Sequence, residues 1–253
     1  METVVETPPP NLSGFELVRL YQGFSCVFWG LPVGLLFCVQ LLVLDVVVAD
    51  PGIRTSLSHL YFCLFLAVLA LVSFGALKLV GVQVIGDLWR RRARICLLSS
   101  LLSLYFSPFL YWWRARPEET LYTLNLFCLI ISVIAFLVSL NFLSMELGRF
   151  LSDHSLRKES KLFLGLNALV LAVPSSGAFA WAAIRSRRLD STQSLGLEFL
   201  GLFRLYYTWR LALFIILFLP ISLTLANLWR VKEILLEELK KLPGKSSPSN
   251  LAG

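Results

Sequence analysis

The sequence has few charged residues, and this scarcity excludes most soluble folds. Asp, Glu, Lys and Arg make up 15% of the 253 residues, against about 25% in typical soluble domains. Apolar residues make up 57%, and the mean hydropathy is +0.74. A soluble chain of this composition would expose large apolar patches. The composition therefore predicts an integral membrane protein.

The sequence also lacks the patterns of common cofactor and metal sites. It has two histidines, and its five cysteines include no C-x-x-C pair. It contains no Walker loop, no glycine-rich dinucleotide-binding pattern and no H-E-x-x-H. The cysteines lie in or beside apolar runs, where they are typical small hydrophobic residues. We therefore expect no catalytic residue, no metal and no cofactor.

Ionisable residues are absent from the centres of the long apolar runs. Asp45, Lys78 and Arg210 all lie near the ends of such runs. Ionisable groups inside a membrane are costly and persist mainly where function requires them. Their absence argues against a proton relay, a carboxylate ion site and a membrane-buried acid–base enzyme.

The apolar runs predict an all-α integral membrane domain over residues 13–242. A membrane-spanning helix needs about 20 predominantly apolar residues. Six segments meet this length: 24–48, 57–80, 95–113, 121–145, 162–184 and 210–229. Five or seven spans stay open, because residues 196–210 suit either a span or a helix lying on the membrane.

Shorter segments accompany these spans. Residues 1–12 and 243–253 are predicted to be disordered tails. Residues 13–22 suit a short interfacial helix or an ordinary helix start, and residues 196–208 again suit an interfacial helix. Residues 230–242 predict an amphipathic extension of the last span, which suits docking of a partner protein. A polar stripe from Glu146 to Arg157 predicts that span four continues as a helix beyond the membrane.

An aromatic girdle marks the boundary between spans three and four. Tyr111, Trp112 and Trp113 precede two arginines, Pro117 and two glutamates. Aromatic rings of this kind favour the headgroup level of a bilayer, and proline ends a helix. This segment is therefore predicted to be a tight turn at one membrane face.

The distribution of Lys and Arg predicts the orientation. With six spans, the side that carries both termini has roughly twice as many lysines and arginines as the other side, which by the positive-inside rule places both termini in the cytoplasm. Arg185, Arg187 and Arg188 lie on the opposite side and weaken this prediction.

Amide and hydroxyl side chains are candidates for contacts between spans. Asn125, Asn141, Asn167 and Asn227 lie in or at the ends of spans. Asparagines in such positions typically form interhelical hydrogen bonds that fix packing. A stripe of serines on span three (Ser99, Ser100, Ser103 and Ser107) favours close packing or, alternatively, a polar cavity wall.

Span five contains the best candidate for a solute site. Pro174, Ser175, Ser176 and Gly177 lie at its centre, where proline is expected to kink or break the helix. A broken helix frees backbone groups that can bind a solute near the bilayer midplane. The alternative is a kink that serves packing alone.

The densest basic cluster is a candidate anionic-lipid site. Arg90, Arg91, Arg92 and Arg94 precede span three, where they suit lipid headgroups or serve only to fix orientation. Expected partners are the bilayer, anionic headgroups and another membrane protein, and no nucleic acid is expected.

These features favour a non-enzymatic, multi-pass membrane protein that packs against membrane partners as an accessory, assembly or sensor subunit. The alternative is a transporter or channel for a neutral or lipid-like solute, built around residues 174–177. A lipid-modifying enzyme that uses Asp153 and His154 ranks third, because neighbouring residues on a helix point apart.

Overall fold

A computed structural model describes residues 12–82, 84–116, 119–169 and 210–241. These residues form six helices and no strand, so the all-α prediction is confirmed. The helices are α1 (Gly14–Val47), α2 (Pro51–Val80), α3 (Asp87–Ala115), α4 (Thr120–Phe150), α5 (described over 154–169) and α6 (Arg210–Lys241).

In the described ranges, four helices are long and apolar enough to cross a membrane. The qualifying stretches in α1, α2, α3 and α4 have 28, 30, 29 and 27 residues. At 1.5 Å per residue, each exceeds the roughly 30 Å of a hydrocarbon core. They indicate a membrane-embedded protein, as the composition predicted.

The first two helices begin at side-chain caps. Ser13 and Glu16 form a capping box, in which each side chain accepts a hydrogen bond from the other residue's backbone N–H. Asp50 accepts hydrogen bonds from two N–H groups at the start of α2, directly before Pro51. The interfacial helix considered for residues 13–22 is not a separate element, because Gly14 begins a continuous α1.

Helices α1 and α2 pack closely at glycines. A Cβ atom on Gly75 would lie 2.8 Å from the Gly23 carbonyl oxygen, and a Cβ on Gly30 would overlap a methyl group of Val72. Small residues let helix backbones approach each other, which is a main source of packing energy in membranes.

A turn at residues 151–153 separates α4 from α5, so the continuous helix predicted from the Glu146–Arg157 stripe is wrong. Ser152 adopts a positive φ of 54°. Asp153 Oδ1 then accepts a hydrogen bond from the Leu156 N–H at 2.9 Å. A short acidic side chain competes with the helix backbone for such donors, and here it caps a new helix.

The final helix runs antiparallel to α1 and packs against it. The Phe28 and Trp229 rings are 5.7 Å apart, and Lys232 Nζ lies 5.9 Å from the Tyr21 ring centroid. Therefore α1, α3 and α5 begin where α2, α4 and α6 end. We call this the N-terminal end of the bundle, and the other the opposite end.

The apolar face of the C-terminal extension is occupied by the rest of the chain. Val231 and Leu235 are fully buried, in one cluster with Leu20 and Phe24 of α1. Because this face is used internally, it does not support the hypothesis that residues 230–242 dock a partner.

Two hydrophobic cores fill the bundle. The larger lies towards the N-terminal end and draws on all six helices. The smaller lies towards the opposite end and is centred on Leu41, Phe65, Leu110, Trp113 and Leu126.

Candidate functional site

A buried hydrogen-bond network joins α4 to α6. Asn141 Nδ2 donates to Thr224 Oγ1 at 3.1 Å and to the Leu137 carbonyl of its own helix at 2.9 Å. Asn227 Nδ2 donates to Asn141 Oδ1 at 2.9 Å. Both asparagines and Thr224 are almost completely buried.

Helix α5 joins the same network through two side chains. Ser160 Oγ donates to Asn227 Oδ1 at 2.8 Å, and Asn167 Nδ2 donates to Thr224 Oγ1 at 2.9 Å. Ser160 and Asn167 are fully buried. Five polar side chains, which we call the amide network (Asn141, Ser160, Asn167, Thr224 and Asn227), therefore hold α4, α5 and α6 together.

Thr224 lies at the centre of the amide network. Its hydroxyl donates to the Pro220 carbonyl at 2.8 Å and accepts from both Asn141 and Asn167. A hydroxyl has one proton and two lone pairs, so this group is saturated. Because its proton is committed, both asparagines must present their nitrogens to it, which fixes the orientation of their amides.

Within the part of the chain that the structure describes, one atom of the amide network has no hydrogen-bond partner. Asn167 Oδ1 is buried, and its amide nitrogen already faces Thr224. Leaving a buried acceptor unsatisfied costs about 1–3 kcal/mol.

The candidate solute site at Pro174, Ser175, Ser176 and Gly177 lies outside the described residues. In the sequence, Asn167 precedes Pro174 by about two helical turns.

The structure separates Asn125 from the other candidate packing residues. Asn125 Nδ2 donates to the Leu121 carbonyl of its own helix at 2.7 Å. Asn125 therefore forms no described contact with the amide network. The span-three serines likewise bond within α3: Ser100, Ser103 and Ser107 each donate to a carbonyl one turn earlier.

The basic cluster at residues 90–94 divides into two parts. Arg92 pairs with Glu146 of α4 and lies over the Phe142 ring, and Arg90 lies 3.9 Å from Asp87. Arg91 and Arg94 are exposed and form no ion pair within the described residues. Only part of the candidate anionic-lipid site is therefore presented to the surroundings.

Residues 153–155 serve local structure. Asp153 caps α5, and Ser155 Oγ donates to Glu159 Oε1 at 3.1 Å. His154 is exposed, whereas His59 lies at the opposite end beside Tyr111. Among the described residues, no three His, Cys, Asp or Glu side chains could hold a metal ion, and the five cysteines are free.

Sequence reasoning did not single out Ser160 and Thr224. A usable signal was present, since Thr224 follows Pro220 by four residues. Ser and Thr side chains often bond to the carbonyl one turn back, and near proline they compensate for disrupted backbone bonding. Ser160 lies in a polar stretch that resembled a surface helix.

No protein family, no curated protein and no solved structure matches the chain significantly.

Proposed function

We propose that this protein is a non-enzymatic, multi-pass membrane protein that acts by helix packing with another membrane component, as an accessory, assembly or sensor subunit. The amide network supports the non-enzymatic part of the proposal. Its polar groups form hydrogen bonds with one another, and Asn167 Oδ1 is the exception among the described residues. Polar residues in this arrangement position helices; they do not form an open reaction site.

The proposed topology has six spans with both termini in the cytoplasm. It is supported by the placement of Gly14 and Lys241 at the same end of the bundle. The same end carries Arg91 and Arg94 of α3, Arg149 in the last turn of α4, and Arg157 and Lys158 near the start of α5, in keeping with the positive-inside rule.

Partner contact is assigned to the outer faces of α2, α3 and α4. These faces expose large apolar residues, among them Leu71, Leu98 and Ile131. The C-terminal extension is not assigned this role, because truncation at residue 231 would remove Val231 and Leu235 from the larger core and unfold the protein instead of releasing a partner.

Site-specific photo-crosslinking in native membranes tests the proposal. A benzophenone amino acid is placed at Leu71, Leu98 or Ile131, and at buried Leu140 as the control. We expect at least one exposed position to give a discrete protein adduct, identified by mass spectrometry, and Leu140 to give none. Lipid adducts alone at all three exposed positions would refute packing against a protein partner.

The buried Asn167 Oδ1 favours one second candidate, a carrier for a neutral or lipid-like solute. A solute donor would satisfy this oxygen beside the broken helix expected at Pro174. Purified protein in liposomes is tested with glycerol and with a fluorescent phosphatidylcholine as probes. The carrier predicts flux of one probe that Asn167→Leu and Ser176→Leu reduce, and absence of flux of both probes in the wild type refutes it for these classes.

A further inference from the structure

The side-chain ammonium of Lys232 on α6 lies among four aromatic rings, which we call the aromatic cage. Its Nζ lies 4.5 Å from the ring centroid of Phe28 and 5.6 Å from that of Trp29. It lies 5.9 Å from the centroids of both Tyr21 and Trp229. All four distances fall within the roughly 6 Å at which a ring attracts a cation. Because three of the rings belong to α1, the aromatic cage positions the ammonium between α1 and α6.

The aromatic cage stabilises the charge of Lys232 and leaves its hydrogen-bond donors open. An ammonium has three N–H donors, and within the described ranges Lys232 forms no hydrogen bond and no ion pair. The neighbouring acid has other partners, since Glu233 Oε1 accepts from Trp229 Nε1 at 2.9 Å and Oε2 lies 3.7 Å from Arg230 Nη1. Lys232 is only half-buried. Its ammonium can therefore donate to an acceptor from the surroundings.

The position of the aromatic cage indicates which acceptor this is. Trp229 follows the apolar stretch of α6, and both Trp29 and Trp229 are more than half exposed. Exposed tryptophans favour the headgroup level of a bilayer. A lysine at this level lays its apolar stem on the protein and extends its ammonium towards the headgroups. The acceptors available there are the phosphate oxygens of lipids.

An apolar strip on α1 leads from the aromatic cage towards the bilayer centre. Leu36 follows Trp29 by seven residues, so the two side chains lie on the same face about 10 Å apart along the helix. Leu36 is also more than half exposed. A cation beside exposed rings, followed by an apolar strip, complements a phosphate that carries an acyl chain. An anionic headgroup suits it better than a zwitterionic one, which would bring a second cation close to Lys232.

We propose that Lys232 and the aromatic cage bind an anionic phospholipid, with the ammonium on the phosphate and an acyl chain along Trp29 and Leu36. This site lies on α1 and α6, whereas the arginines at residues 90–94 lie on α3. It does not depend on the partner contact assigned to α2, α3 and α4, so it stands independently of the proposed function.

Brominated lipids test this proposal, because bromine on an acyl chain quenches the fluorescence of a tryptophan in contact with it. The full chain is placed in phosphatidylcholine nanodiscs with increasing fractions of phosphatidylglycerol, and one of the two lipids at a time is brominated. The quenching curves give the ratio of the two binding constants. We expect phosphatidylglycerol to bind about fivefold more tightly, the preference expected from one lysine near a membrane surface.

Three variants identify the group that carries this preference. Lys232→Met should lose most of it, whereas Lys232→Arg keeps a cation over the rings and should retain it. Lys240→Met is the matched control, because it removes an exposed lysine further along the same helix. It should retain the preference as well. All three keep every tryptophan, and each is first checked by size-exclusion chromatography for wild-type folding.

Four results would overturn the proposal. The first is equal binding of the two lipids by the wild type. The second is an equal loss in Lys232→Met and Lys240→Met, which would show general attraction to a basic surface. The third is a loss in Lys232→Arg as large as that in Lys232→Met. The fourth is displacement of phosphatidylglycerol by inorganic phosphate and not by chloride at equal ionic strength, which would assign the site to a free anion. A failed crosslinking experiment on α2, α3 and α4 would leave these outcomes unchanged.

Discussion

Arginine has different surroundings at the two ends of the bundle. At the N-terminal end, Arg19 donates to the Gly81 carbonyl at 3.0 Å and Arg92 pairs with Glu146. At the opposite end, Arg114 reaches a carbonyl and a hydroxyl, and with Arg54 it lines a cavity. The first pattern closes contacts between helices, and the second places two arginines beside a cavity.

The hydrophobic cores at the two ends also differ in how completely they are enclosed. Leu20, Phe24 and Leu235 of the larger core are fully buried, whereas Phe65 and Leu126 of the smaller core keep a few per cent of exposure. The comparison teaches that the core is more completely enclosed at the N-terminal end, whereas the opposite end contains a cavity. The following predictions test this contrast in order of decreasing effect.

The largest loss is expected at the packed end. Leu235→Ala removes a fully buried side chain and should lower the free energy of unfolding by about 2–5 kcal/mol. Leu126→Ala at the opposite end should cost less, because that core is less enclosed. Unfolding in mixed detergent micelles measures both, with Leu236→Ala (41% exposed) as the near-neutral control. Equal losses at Leu235 and Leu126 would remove the contrast.

A smaller loss is expected where α1 meets α2. Gly75→Ala places a Cβ 2.8 Å from the Gly23 carbonyl oxygen, and overpacking of this kind costs about 1–3 kcal/mol. Gly165→Ala on α5 is the matched control, because no atom of the described residues lies within 4 Å of its Cβ. The control should be neutral or stabilising, as alanine favours helix over glycine. A harmless Gly75→Ala would show that this contact is not tight.

The amide network should contribute somewhat less to the free energy of unfolding. Asn141→Leu leaves Asn227 without its acceptor, and we expect a loss of about 1–2 kcal/mol, since interhelical hydrogen bonds in membranes are modest. Asn125→Leu, which loses a bond only within α4, serves as the control. Thermal unfolding of both variants in the same lipid measures this difference. Similar shifts of the unfolding midpoint in the two variants would contradict an interhelical role for Asn141.

The smallest effect is expected at Lys232. Its ammonium lies 4.5 to 5.9 Å from the ring centroids of Phe28, Trp29, Tyr21 and Trp229. Cation–π contacts near a surface contribute about 0.5–1 kcal/mol, so Lys232→Met should lower stability by that amount. The control is Lys240→Met, at an exposed position further along α6. Equal stability of the two variants would contradict a stabilising contact between Lys232 and the rings.

The sequence predicted the features that depend on composition and on the spacing of apolar residues. Apolar runs gave the helical class and the approximate position of α1 to α4, because the cost of placing polar groups in a membrane acts on each residue separately. The predicted spans began later than the helices: span three was predicted from residue 95, whereas α3 begins at Asp87. The reason is that a helix continues past the apolar region through polar turns.

Features that depend on distant partners could not be predicted in this way. The stripe from Glu146 to Arg157 has helical spacing, yet Asp153 caps a new helix, and spacing alone does not report a cap. The sequence of residues 230–242 has an amphipathic pattern, but only the fold shows that α1 covers its apolar face. For the same reason, Asn125 and Asn141 look alike in sequence and differ in their partners.

The long separation of the residues in the amide network has a consequence for biogenesis. Asn141 enters the membrane with α4, but its partner Asn227 follows 86 residues later, which is roughly 4–17 s at ordinary rates of synthesis. During this interval, its bond to the Leu137 carbonyl in the same helix can shield one donor from lipid. The neighbouring helices α1 to α4 can assemble meanwhile, and arrival of α6 completes the bundle. A ribosome-bound chain that stops before residue 224 should therefore expose Asn141 to membrane chaperones, and release after residue 241 should end that contact.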